Sequence, residues 1–102
     1  MDMRERLSAA LKDAMRAKEA DRLSTLRLIN AAIKDRDIAL RGTADEAAGL
    51  SDTDVLAIMG RMVKQRQESA RAYEEGGRLE LAEKELSEIK VIEEFLPRQL
   101  TD

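Results

Sequence analysis

Apolar residues in the first segment recur at three- and four-residue steps. Met3, Leu7, Ala10, Leu11 and Ala14 share one helical face, and Arg4, Glu5, Lys12, Asp13 and Arg16 fall outside it. This pattern predicts an amphipathic helix over about residues 2–18. Asp21 then offers a capping carboxylate to a second helix over 21–40, whose face is Leu23, Leu26, Ile29, Ile33 and Leu40. Asn30 and Asp37 fall inside that same apolar arc, and Leu28, Ala32 and Ala39 lie roughly opposite, which predicts contact on two sides of the helix.

From Arg41 to Leu50 no period is sustained and glycine stands near both ends, so this stretch reads as one long connection. Ser51, followed by Asp52 and Asp54, supplies a capping oxygen and early acidic residues that favour the positive end of a helix dipole. A third helix is therefore predicted over 52–74, with a stripe of Val55, Ile58, Met59, Met62, Val63, Ala70 and Tyr73. Gly76 and Gly77 stop it. A fourth helix over 78–96 directs Leu81, Ala82, Leu86, Ile89, Ile92, Phe95 and Leu96 to one side, and Pro97 ends it by removing a donor and restricting Leu96. No strand alternation appears, so the expected fold class is all-α: a four-helix domain with helices 3 and 4 folded back as an antiparallel hairpin.

Composition narrows the chemistry more than the fold. The 102 residues suit a single domain, and 43% hydrophobic with 38% charged residues describes a globular chain in water. Only Tyr73 and Phe95 are aromatic, so the core must be built from aliphatic side chains and methionine. Without cysteine there is no thiol nucleophile, disulfide or thiolate-bound zinc, and without histidine the commonest metal ligand and neutral-pH base are missing. Neither a metal nor a cofactor is expected. The charged amino terminus lacks the apolar stretch of a signal peptide or membrane helix, which makes the cytoplasm the expected compartment and a membrane role unexpected. The net charge of -3 conceals an asymmetry: residues 1–42 hold ten bases against seven acids, and the remainder eight against fourteen. An isoelectric point near 5.1 argues against a dedicated nucleic-acid binder while leaving room for a local basic face.

Several residues break the helical patterns. Arg66 falls in the middle of the third helix's apolar stripe, and Glu85 in the middle of the fourth helix's arc, with Glu88 nearer its edge. A lone buried charge is costly, so Arg66 is expected to pair with Glu85, or alternatively Glu88, across the hairpin; a ligand or RNA contact is the competing role. Asn30 reads as a helix-to-helix hydrogen-bonding residue before a catalyst. The acid pairs Glu80 with Glu83 and Glu85 with Glu88 have the spacing of carboxylate metal sites in bundles, but the Glu-x-x-His motif that accompanies such sites is absent. Arg27 and Lys34 share an edge of the second helix, and Arg61, Lys64 and Arg71 share the polar face of the third. Such bases can neutralise phosphates, so these five are the candidate RNA contacts, set against the plain alternative of a solvated face.

Three blocks, LRLINAAIKDRDI at 26–38, MVKQRQESARAYEEGGRLELAEKE at 62–85 and EFLPRQL at 94–100, resemble in this order the GatB/YqeY family, specifically its small free-standing YqeY-like members. With the leading helix, the resemblance covers essentially the whole chain. It implies a helical amino-terminal domain followed by a smaller helical bundle. The bundle is absent from this sequence, so the chain is expected to be the first part of a protein of about 150 residues. In the related amidotransferase B subunit, the carboxyl-terminal tail region of the matching segment is associated with tRNA binding, and the absent bundle is its counterpart. The resemblance also carries a label of carbon-nitrogen ligase with glutamine as amide donor. No Ser-Lys arrangement, phosphate loop or metal cluster stands here to perform that chemistry, and no catalytic residue is assigned. What the resemblance implies is a non-catalytic accessory domain contacting tRNA or an aminoacylation or amidotransferase protein; a protein-interaction scaffold with no RNA role is the alternative. The family-pattern positions are Arg27, Asn30, Lys64, Gln65, Arg66, Tyr73, Gly77, Arg78, Leu96, Pro97 and Leu100.

Overall fold

A computed structural model describes residues 2–44, 46 and 49–97, so Leu100 lies outside the described residues. They form four helices, α1 (Met3–Arg16), α2 (Ala20–Leu40), α3 (Asp52–Glu75) and α4 (Leu79–Glu93), and no strand. The strongest packing is between α3 and α4; α1 lies against α2, and α2 also reaches α4.

Local chemistry fixes most of the boundaries. The Asp2 carboxylate accepts from the Glu5 amide at 2.8 Å and caps α1. Ser51 and Asp54 form a capping box at the start of α3: the Ser51 hydroxyl accepts from the Asp54 amide, and the Asp54 carboxylate accepts from the Ser51 amide at 3.0 Å. Hydrogen bonds from the backbone and hydroxyl of Ser51 hold the Asp54 carboxyl below its ordinary pKa. The Met3 amide donates to Asp52 Oδ1 at 3.1 Å, which joins the first turns of α1 and α3.

Two chain reversals are Schellman motifs, in which a residue with positive φ follows the helix and its neighbours' amides return to the last turn. After α3, Gly77 takes φ +74, its amide donates to Glu74 O, and the Arg78 amide donates to Tyr73 O at 2.7 Å. After α1 the same geometry falls on Lys18, at φ 57, with the Glu19 amide donating to Ala14 O. This tight exit starts α2 at Ala20, so Asp21 sits in the first turn and is not the cap the sequence suggested; Glu19 holds the cap position without a side-chain hydrogen bond. A left-handed residue with a Cβ costs about 1–2 kcal/mol. Lys18→Gly is therefore expected to raise stability by about 0.5–1 kcal/mol and Gly77→Ala to lower it by about 1 kcal/mol. A Cβ at Gly77 would meet nothing within 4 Å, so the loss there is one of backbone conformation alone. Thermal melts that move in the same direction for both variants would contradict this.

The main core gathers Met3, Leu7 and Ala14 of α1, Leu26, Ile29 and Ile33 of α2, Val55, Met59, Met62 and Val63 of α3, and Ile89, Ile92 and Phe95 at the end of the chain's last helical stretch. Ala70 and Ala82 are buried but stand outside this cluster, so the distal half of the α3–α4 hairpin is held by small residues beyond the shared core. Two expectations for α4 are corrected. Leu81 and Leu86 are exposed, because they flank the Ala82–Ile89–Ile92 line on opposite sides and the distal hairpin has no third helix to cover them. The helix ends at Glu93, not 96: the amides of Glu94, Phe95 and Leu96 donate to oxygens three residues back, tightening the chain ahead of Pro97 and turning Phe95 into the core. There the Arg6 guanidinium lies over the Phe95 ring, 5.5 Å from its centroid.

Candidate functional site

Arg66 projects from the buried side of α3, and its side chain is 16% exposed. Its Nε donates to Glu88 Oε1 at 3.1 Å and its Nη1 to the Met62 carbonyl at 3.2 Å. The partner is therefore Glu88, not Glu85. Helical position along the hairpin decides this: Arg66 lies nine residues before the end of α3 at Glu75, and Glu88 nine after the start of α4 at Leu79. The two stand at the same height above the turn, and Glu85 lies about one helical turn closer to it. The bond closes the hairpin where it leaves the main core, between Val63 and Ala70 on one helix and Ile89 and Ala82 on the other.

Among the described residues, the remaining ion pairs join Arg4 to Asp37 at 2.9 Å, Arg16 to Asp13, and Arg22 to both Glu19 and Glu94. The hydrogen bond to Glu94 raises the Arg22 pKa above its ordinary value, with burial opposing. Arg27, Lys34, Arg61, Lys64 and Arg71 are all exposed and have no ion pair among the described residues. They do not form one surface, because Lys34 and Arg61 open onto different grooves. Arg61 stands with Arg36, Asp35 and Gln65 on the rim of a groove between α2 and α3, floored by Ala32, Ala39, Ile58 and Met62. Lys34 lines a second groove at the start of α1 and the carboxyl half of α2, where Arg4, Asn30, Asp37 and Arg41 also open. Among the family-pattern positions, Asn30 and Gln65 are thus groove residues, Gly77 and Arg78 make the hairpin turn, and Tyr73 accepts the Arg78 amide through its carbonyl.

Sequence reasoning missed Arg4 and Arg41 as site residues. A signal for Arg4 existed: Asp37 lies inside an apolar arc, and a carboxylate there needs a cation, as Arg66 needs an acid. No group of three or more histidine, cysteine or acidic side chains able to hold a metal occurs among the described residues, and none of the described helices is long and apolar enough to cross a membrane.

The chain matches a family model described as Yqey-like protein over residues 4–102. It is 28% identical over 92 residues to an uncharacterized protein of Schizosaccharomyces pombe, covering 90% of this chain and 70% of that one. It is 32% identical over 90 residues to the mitochondrial protein named altered inheritance of mitochondria protein 41 in Clavispora lusitaniae, and 29% identical to its namesake in Saccharomyces cerevisiae strain YJM789. Each of these two alignments covers 88% of this chain; the chain spans 49% and 46% of those relatives, about half their length.

Proposed function

Because the chain belongs to the YqeY-like protein family, we propose that it is a non-catalytic helical module that associates with tRNA, alone or beside an aminoacylation or amidotransferase protein. The observation that supports this reading is that Arg27, Lys34, Arg61, Lys64 and Arg71 are exposed and make no ion pair among the described residues, on a chain whose net charge is negative. Free bases in a field of acids are dispensable for folding and suited to phosphate. The expected result for purified protein is tRNA binding whose affinity falls as salt rises, since each neutralised phosphate releases counterions. Reversing Arg27, Lys34, Arg61, Lys64 and Arg71 together should weaken binding at least tenfold and flatten the salt slope by about one unit per lost contact. Binding that survives the reversal unchanged removes these residues from the interface.

The exposed leucines of the hairpin, Leu79 at 62%, with Leu81 and Leu86, favour a second reading, a protein-interaction scaffold without RNA. Loss of a co-purifying protein on Leu79→Ser and Leu86→Ser, with no tRNA bound at any salt concentration, would select it. The cytoplasm is the proposed compartment; relatives carry mitochondrial names, and cell fractionation decides between the two.

A further inference from the structure

The outer half of the α3–α4 hairpin carries an apolar side that no described element covers. Leu79 is 62% exposed and Leu86 42%. They stand seven residues apart on α4, which is two helical turns, or about 10 Å, along one side of the helix. Leu81 lies on the other flank and does not extend this line. Two exposed leucines at that spacing are anchor positions for helix-against-helix docking, and the described residues hold no strand to which an extended peptide could add.

The charge around them is one-sided. Residues 74–86 hold Glu74, Glu75, Glu80, Glu83 and Glu85 against Arg78 and Lys84. Glu74, Glu75, Glu80 and Glu83 are exposed and make no ion pair among the described residues. Glu80 suits the positive start of α4, but Glu74 and Glu75 occupy the last turn of α3, where the helix dipole disfavours acids and no base stands with them. Glu83 is one turn from both Leu79 and Leu86, on the same side of α4. Helix stability does not account for this arrangement, whereas a cationic partner does.

We propose that this end of the hairpin docks a basic amphipathic helix of another protein, whose apolar side chains lie on Leu79 and Leu86 and whose lysines or arginines meet Glu74, Glu75, Glu80 and Glu83. The inference rests on the leucine surface of the second reading above and names its partner; it holds whether or not RNA binds the cations elsewhere. RNA itself is repelled from this end, because its phosphates would meet unpaired carboxylates. A second copy meeting it hairpin to hairpin would set like charges against each other across the two-fold axis, which disfavours that occupant.

The probe is a synthetic helix of about four turns, leucine on one face and lysine on the other, titrated into the isotopically labelled whole chain. It should shift the backbone amides of residues 74–86 ahead of those of α1 and α2. A peptide of the same pattern with glutamate for lysine should bind about tenfold more weakly or worse, as should an oligolysine of equal charge. Replacing Glu74, Glu75, Glu80 and Glu83 together with glutamine should weaken the leucine-lysine helix about tenfold, and so should Leu79→Ser combined with Leu86→Ser. All six side chains are exposed, so circular dichroism should show the helices intact. Oligolysine binding as tightly as the leucine-lysine helix, or shifts spread over the acids of all four helices, would overturn the proposal. If the serine variant weakens binding and the glutamine variant does not, the charge assignment fails and the scaffold reading stands. If neither variant changes binding, both fail. Concentration-dependent self-association of the chain that Leu79→Ser abolishes would assign the surface to a second copy and overturn the proposal as well.

Discussion

Replacing Ile92 with alanine should destabilise the protein by about 3–4 kcal/mol, a large part of the roughly 5–15 kcal/mol available to a small domain. Ile92 is fully buried in α4, the helix that meets both α2 and α3, so the vacated space is walled by three elements and cannot easily collapse. Leu86→Ala, six residues earlier on the same helix, should cost less than about 1 kcal/mol, because that side chain is 42% exposed. Urea melts of the two variants measure the contrast. Equal losses would mean that α4 presents a different face to the core.

Breaking the Arg66–Glu88 bond gives the next largest effect. Removing one partner of a fully buried pair costs about 3–5 kcal/mol, and an exposed pair is worth about 0–1 kcal/mol. With side chains 16% and 14% exposed, this pair lies near the buried limit, and Arg66→Met or Glu88→Leu alone should cost about 2–3 kcal/mol. The double variant should regain most of that loss, since two apolar side chains of similar length leave no stranded charge. Glu85→Leu should have little effect. Near-additive losses at Arg66 and Glu88, or a larger loss at Glu85 than at Glu88, would contradict the geometry.

The four helices and their hairpin are legible in the sequence because each carries its own periodicity and, at Ser51 and Gly77, its own start or stop. What the helical wheel cannot supply is height along the axis. It places Glu85 deeper in the apolar arc than Glu88, and only the register of the hairpin, set by the turn at Gly76 and Gly77, shows which acid stands level with Arg66. Nor can it tell a flank covered by a third helix from one that is bare, which is why Leu81 and Leu86 read as core. The Lys18 reversal was hidden for a related reason, since lysine gives no hint of positive φ where glycine does. The candidate site is less legible than the fold: Arg4 reaches Asp37 across 33 positions in the chain, and the groove they edge exists only once α1 lies on α2.

Crosslinking and sequencing of RNA bound to the full-length protein in living cells tests the functional account most directly. It predicts enrichment of tRNA over uncrosslinked controls, lost when Arg27, Lys34, Arg61, Lys64 and Arg71 are reversed. Recovery of no RNA above background, or of RNA whose yield is indifferent to that reversal, would contradict it.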